Sequence, residues 1–507
     1  MENILNIINF VRGCEPRDPG IDLVEPVREQ IALLKKHGLP GTFLLQYDAM
    51  EREDIVSLLR PLDPEQFELG IWMEMNRPHA AAAGLPWRGR PGFDWDWHAN
   101  VGFTVGYTPR EREALVDAII GKFRATFHRE PASVGSWMLD AHTLGYLSDR
   151  YSIVASCNCK DQWGTDGYTI WGGYWNQGYY PSRANALCPA QHASQQIPLP
   201  VFRMLGSDPV TQYDLGLTDA GPIECQHVAS LEPVYSNAGA SAAWVDWFAR
   251  QNFGGNSLAF AYAQAGQENS FGWPAMREGL TYQFSLFAAM REKGLRVERL
   301  MDTGRWYRER FATTPATAVC ALEPFGQRNA QSIWYDCKNY RANLYHDQRG
   351  ARIRDLFLFD ERYEERYLRE VCETEYLVYD NLPVIDGNRM SGGGILAGGW
   401  LVDAAGAPIL TPFLEAREEG NGILARLETG SIALAEEEIR LSGGLSIQLR
   451  WARERGALQA VEERRLSFAH RGMRYALLLE QGIAQPCEGG ALLLPQDGEL
   501  RLRFARE

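Results

Sequence analysis

The first fifty residues admit few folds, because they spell a single strand–helix–strand unit. Ile4-Leu5-Asn6-Ile7-Ile8-Asn9-Phe10-Val11 is apolar and β-prone, and it stops at a polar turn, Arg12-Gly13-Cys14-Glu15-Pro16-Arg17. Val24, Val27, Ile31, Leu33 and Leu34 then recur at helical spacing, and Lys35-Lys36-His37-Gly38 supplies a cationic last turn with a glycine stop. Thr42-Phe43-Leu44-Leu45-Gln46-Tyr47 follows as a second strand. Parallel strands joined by a crossover helix connect right-handedly, so this unit sets the hand of whatever sheet it begins.

The alternation continues to about residue 312. Further strands are expected near Phe67–Met75, Ala132–Trp137, Ser152–Ser156, Leu199–Leu205 and Ser257–Ala263, with helices at Glu111–Phe127, Ala141–Asp149, Ser241–Asn252 and Pro274–Lys293. Seven strands predict an α/β architecture, a distorted and incomplete (β/α)7 barrel over residues 1–312. Two insertions rich in Trp, Tyr, Gly and Pro, Asn76–Pro109 and Asn158–Pro198, follow strand ends, where barrels build their sites, and are expected to wall a substrate. Beyond residue 312 the texture changes to short β-type runs such as Leu356–Phe359, Tyr376–Tyr379, Leu445–Leu449 and Ala476–Leu479, punctuated by glycines. A chain of 507 residues is too long for one core, so residues 313–507 are expected to form a second, all-β sandwich-like domain.

The net charge of −14 disfavours a nucleic-acid partner or an anionic membrane surface, and no basic cluster or long apolar run offsets it. Met1 leads directly into a strand with no legible export signal, and the nine cysteines are odd in number and irregular in spacing; both features predict a cytoplasmic protein. Cys157 and Cys159 read as small residues at a strand end.

The segment LLKKHGLPGTFLL resembles the NodB-like polysaccharide deacetylase superfamily, in which a helix ending Lys-Gly-hydrophobic-Pro feeds a strand beginning Ala/Gly-Thr-Phe-Phe. The resemblance implies the glycoside hydrolase/deacetylase type of barrel. It also implies an Asp-Asp pair at the end of the first strand, one a base and one a metal ligand, and two histidines after the third. Here the first strand ends Val11-Arg12-Gly13, and the third runs Trp72-Met73-Glu74-Met75-Asn76. The fold is therefore expected without the metal chemistry, and no cofactor is expected.

Fifteen tryptophans are more than the core of such a chain requires, and Trp72, Trp97, Trp137 and Trp163 fall at strand ends or in the insertions. Indole faces stack on pyranose rings, so a carbohydrate partner is predicted, although some of these rings must fill the core. A glycosidase needs two carboxylates across the scissile bond, and three stand at strand ends: Glu74, Asp140 and Glu268. Asp140 also suits a helix N-cap, and Glu74 also suits a buried ion pair with Arg12 or Arg17. Asp166 is a fourth acid, in a loop. Arg12, Glu15 and Arg17 replace the metal-site turn, where the arginines would grip an acidic sugar substituent or brace the turn. His98, Gln264 and Gln267 complete the expected binding set.

Among metal-like spacings only Asp94, Asp96 and His98 lie close together, and no phosphate-binding glycine motif is present. The expected function is a metal-independent glycoside hydrolase. The alternatives are a deacetylase recruiting a metal through Asp94, Asp96 and His98, and a non-catalytic glycan-binding protein on the same barrel.

Overall fold

The computed structural model describes residues 2–326, 329–379, 381–452 and 458–507. Seven strands are mutually parallel: β1 (Glu2–Val11), β2 (Gly41–Leu45), β3 (Phe67–Trp72), β4 (Ser133–Gly135), β5 (Ala155–Asn158), β6 (Val201–Arg203) and β7 (Phe260–Ala265). They lie in the order β7-β1-β2-β3-β4-β5-β6. The long first strand is shared: Glu2–Ile7 pair with β7, and Ile8–Val11 pair with β2. Ile4–Val11 are buried on both faces, as a parallel strand covered by helices requires.

These are the seven expected strands, and they form a curled α/β sheet rather than a closed ring among the described residues. The sheet also takes in Arg296–Glu298, parallel to β1, and Gly178–Tyr179, antiparallel to β6. Among the described residues no ladder joins β7 to the opposite edge, so the sheet is curled and open.

The helices form where sequence periodicity places them. Helix α1 (Glu25–His37) buries Val27, Ile31 and Leu34 and stops at left-handed Gly38. Helix α2 (Pro109–Phe127) starts from a Thr108/Glu111 capping box, and α3 (Ala141–Arg150) starts from Asp140.

From Thr317 onward the strands are antiparallel and fall into two sheets, one running from Thr317–Ala321 and the other from Glu415–Glu419. One apolar cluster draws on both, with Ile333, Leu344 and Ile353 from the first and Ile423, Leu434 and Leu477 from the second. Tyr376–Tyr379, expected as a strand, is irregular. Leu377 N and Tyr379 N donate to Gly167 O and Thr169 O, so this stretch docks on the Gln162–Ile170 hairpin and leaves its own sheet.

The second aromatic insertion is also more structural than expected. Trp163, Trp171, Trp175 and Tyr213 pack with Trp334 and Phe357 of the antiparallel sheet, and Trp175 stacks on Trp334 at 4.3 Å. Arg341 bridges Asp161 of the insertion to Asp355 of the sheet, which seals this junction with fully buried charge. No helix among the described residues is long and apolar enough to cross a membrane.

Candidate active site

Parallel strands deliver their carboxyl ends to one face, and there β1, β3 and β7 bring Arg12, Glu74 and Glu268 together. Arg12 Nη2 lies 3.2 Å from Glu74 Oε2 and 3.2 Å from Glu268 Oε2, and Nη1 lies 3.5 Å from Glu15 Oε2. The contacting oxygens of Glu74 and Glu268 are therefore no more than twice 3.2 Å apart. Side-chain exposure is 1% for Arg12 and Glu74 and 6% for Glu268, so water hardly screens these charges.

The backbone holds this arrangement from below. Asn269 accepts from Arg12 N at 2.8 Å and donates to Arg12 O and Leu23 O at 3.0 and 2.9 Å, binding the exit of β7 to the exit of β1. Gly266 makes the approach possible: its φ is +101°, and a Cβ there would sit 2.0 Å from Ile8 O.

Glu74 accepts from Arg12, from Gln46 Nε2 at 2.8 Å and from Trp72 Nε1 at 3.0 Å. Glu268 has one hydrogen bond, from Ser270 Oγ at 2.6 Å. Burial pushes its carboxyl up to about 7; Arg12 and Ser270 oppose the rise, while Glu74 and Asp166 add to it. Two carboxyl groups at one guanidinium thus have different hydrogen-bond sets.

Arg12 keeps donors to spare. Its Nε and Nη1, and Trp95 Nε1, are buried without a hydrogen-bond acceptor among the described residues. The Trp95 ring covers the guanidinium, with its centroid 4.2 Å away.

Over this core lies a rim. Arg17 donates twice to Glu15, at 2.8 and 2.7 Å, and faces Asp166 Oδ1 at 3.7 Å. It also stacks over Trp95 and Trp97, with centroids at 4.7 and 5.7 Å. Burial pushes the Glu15 carboxyl up, but Arg17 and Arg12 outweigh it and hold it below the usual range. Arg17 and Asp166 are 38% and 37% exposed, which makes them the outer side of the cluster. His98 stands beside Trp97 and is held by Asp96 at 3.1 Å and Glu375 at 3.7 Å.

Several expected site residues lie elsewhere or serve the scaffold. Asp140 shares no contact with the Arg12 cluster. It caps α3 through Thr143 N, takes hydroxyls from Thr104 and Thr143, and pairs with Arg112 at 2.9 Å, all at no exposure. Its carboxyl is held below the usual range because Arg112 and these hydrogen bonds outweigh burial. Gln264 is fully buried and spends its amide on Leu205 N and Ala265 O. Trp137 packs against Phe10 and Trp72, and Trp163 belongs to the junction described above.

Gln267 is an indirect participant. Its Oε1 accepts from Glu268 N at 2.8 Å, and its Nε2 donates to Glu232, which Ser230 and Lys160 also hold. Glu232, Lys160 and Gln46 carried no site signal in the sequence. Gln46 and Lys160 do follow strand ends, a position that could have marked them; Glu232 sits in a long loop with no local signal.

A metal site of the kind the resemblance implies does not fit these residues. The guanidinium of Arg12 lies among the strand-end carboxylates, and Asn76 caps a short helix through His79 N. Asp94 pairs with Arg77 while Asp96 pairs with Arg90 and His98, so that trio does not converge. Among the described residues no three His, Cys, Asp or Glu side chains are grouped to hold an ion.

No family model and no curated protein matches this sequence. Solved structures do. A "putative glycoside hydrolase/deacetylase" from Parabacteroides distasonis aligns at 15% identity over 73% of this chain and 87% of its own, with a TM-score of 0.52. A "probable polysaccharide deacetylase" from Pseudomonas aeruginosa aligns at 12% identity over 61% and 91%, with a TM-score of 0.39. The PuuE allantoinase aligns at 11% identity over 61% and 92%, also at 0.39. At these identities the likeness is one of fold, and it rests on the first of the three. The fold of this chain is of the glycoside hydrolase/deacetylase type.

Proposed function

We propose that this chain is a metal-independent glycoside hydrolase, with Glu268 as the general acid/base and Glu74 as its anionic partner. The observation that carries the reading is the split pair at one guanidinium: a buried carboxyl raised to about 7 beside a carboxylate saturated with donors. Retaining pairs stand ~5 Å apart and inverting pairs ~6.5–9.5 Å, and the bound of twice 3.2 Å on the two contacting oxygens falls below the inverting range. Trp95, Trp97 and the rim of Arg17 and Asp166 supply stacking faces and hydrogen-bonding groups for a sugar. The region from residue 313 is read with it as a β-sandwich companion domain, and the protein as cytoplasmic.

The test is turnover of a panel of chromogenic glycosides and acetylated sugars, with and without chelator. Hydrolysis that survives chelation and falls at least ~10²-fold in both Glu268→Gln and Glu74→Gln is expected. Acetate release that requires added metal would overturn the reading in favour of a deacetylase. Glycan binding unchanged in both variants, with no turnover of any substrate, would overturn it in favour of a binding protein.

A further inference from the structure

Aromatic side chains are mostly buried in this protein, and the exceptions are placed selectively. Among the described residues the two most exposed Trp, Tyr or Phe side chains are Tyr376, at 58%, and Phe271, at 38%. Both border the Arg12 cluster and its rim. We propose that these two rings are stacking platforms that extend the site over an oligosaccharide, an inference that rests on the hydrolase reading of the acids between them.

Tyr376 comes to the site from the antiparallel region. The chain leaves that sheet after Gly350–Leu358 and rejoins it at Leu382–Asp386. On the way it crosses the barrel and the second insertion: Glu365 N donates to Ala184 O, Arg112 donates to Tyr367 O and Glu370 O, and Cys372 N donates to Val105 O. Where it reaches the rim, Ala99 N donates to Glu375 O at 2.8 Å and Leu377 N to Gly167 O at 2.9 Å, so residue 376 is clamped on both sides. The Thr374 hydroxyl donates to Tyr376 O at 2.7 Å. These anchors belong to the rim. Gly167 follows Asp166, which faces Arg17, and Ala99 follows His98, which lies 3.7 Å from Glu375. A Cβ on Gly167 would sit 2.7 Å from both Glu375 O and Trp97 O, so glycine is what lets the crossing segment lie this close.

Phe271 stands in the turn Asn269–Phe271 that follows Glu268. Asn269 is fixed to Arg12 and Leu23, Ser270 donates to Glu268, and Gly272 N donates to Asn269 O at 3.1 Å. Both rings therefore stand on backbone already held in place, and binding would cost little further ordering.

Single exposed apolar side chains scattered over a surface need no explanation, but the two most exposed rings meeting at one set of acids do. Aromatic faces stack on the C–H faces of pyranose rings and leave the hydroxyls to polar neighbours, here Arg17, Asp166 and His98. Trp95 and Trp97 each carry an arginine over the ring. Tyr376 and Phe271 have no ring or cation stacked on them among the described residues, so their faces are open to sugar units beyond the one between the acids.

The experiment measures kcat/KM on 4-nitrophenyl glycosides of one to four sugar units, in the gluco, galacto and manno series and both anomers, for wild type, Tyr376→Ala, Tyr376→Phe and Phe271→Ala. Wild type is expected to gain at least ~10-fold from one unit to four, and each alanine variant to lose most of that gain; Tyr376→Phe keeps it, because the ring is the platform. Both alanine variants are expected to melt close to wild type, since the side chains removed are open to solvent. A wild type indifferent to length, a gain retained in full by either alanine variant, or a loss of the same factor at every length would each overturn the proposal. Calorimetric titration of the unlabelled sugars of the same series into Glu268→Gln, with and without Tyr376→Ala, separates this inference from the hydrolase reading. Affinity that rises with length and falls at least ~10-fold with Tyr376→Ala supports the platforms even where wild type turns over no glycoside, a result that would sink the hydrolase reading alone. Neither binding nor turnover of any of these sugars would overturn the platforms as well.

Discussion

The raised carboxyl of Glu268 makes a prediction about stability that needs no substrate. Folded, this group gives up its proton near 7; unfolded, it does so near 4.5. Between those values the folded chain binds more protons than the unfolded chain, so this site's contribution falls as pH rises. It is neutral below the lower value and fully destabilising above the upper. The gap between about 7 and 4.5, at ~1.4 kcal/mol per pH unit, corresponds to about 3 kcal/mol. A glutamine has no proton to lose, and Arg12 keeps Glu74 and Glu15 after the change, so Glu268→Gln removes the pH-dependent cost without orphaning the guanidinium. At ~1 °C per kcal/mol for a chain of 507 residues, the variant's melting temperature should gain ~3 °C on wild type between pH 5 and pH 8. Scanning fluorimetry of both proteins side by side, at one scan rate and ionic strength, measures that difference. A constant offset from pH 5 to pH 8 would refute the reasoning, because it would place the ionisation of Glu268 at the same pH in the folded and unfolded chains.

Three further substitutions test the scaffold. Asp140→Ala should cost ~3–5 kcal/mol, because it leaves the buried Arg112 without its ion-pair partner, and the melting temperature should fall even though the Arg12 cluster is not touched. Gly266→Ala should cost at least ~2 kcal/mol, since a Cβ 2.0 Å from Ile8 O at a φ of +101° combines a backbone clash with strain; a melting temperature within a degree of wild type would show that β7 can draw back. Arg17→Ala removes a contact that is 38% exposed and should change stability by less than ~1 kcal/mol; a larger loss would mean that the rim holds the buried cluster closed.

What was legible in the sequence was the part written in local chemistry. The seven parallel strands and the main helices follow from apolar periodicity, turn residues and caps, and they appear within a few residues of expectation. Ser152–Ser156, for example, slides to Ala155–Asn158. The two extra strands of the sheet, Arg296–Glu298 and Gly178–Tyr179, were not legible, because they are too short to carry a pattern. Tyr376–Tyr379 misled because an apolar, aromatic run satisfies a strand template whether its hydrogen bonds go to a sheet or to a single hairpin. The aromatic insertion misled for a related reason: a Trp-rich loop can wall a sugar or seal a domain junction, and the buried partners Trp334 and Phe357 lie far along the chain.

At the site, residue type and strand-end position sufficed to place Arg12, Glu74 and Glu268 together, but not to separate them from Asp140. All the acids stand at strand or helix boundaries. What distinguishes them is whose charge they face, and Arg112 and Thr104 could be found only in three dimensions. The expected clamp for an acidic sugar fares differently. Arg12 and Arg17 are present as expected, yet each is already committed to carboxylates, so the pocket offers an incoming anion little net positive charge.

That last point reorders the chemistry available to this barrel. An ion at the strand ends would act as a Lewis acid, holding water and polarising a carbonyl. A guanidinium accepts no ligand and lowers no water's pKa; it can only donate hydrogen bonds and set the charge of what surrounds it. Here it does so unequally: at 3.2 Å from both, Arg12 donates hydrogen bonds to Glu74, which also accepts from Gln46 and Trp72, whereas Glu268 accepts one from the Ser270 hydroxyl among the described residues. One guanidinium shared in this way leaves two identical side chains with different hydrogen-bond sets, the division on which the proposed acid/base pair rests. Acid/base chemistry between carboxylates needs that division, and amide hydrolysis through a metal-held water does not.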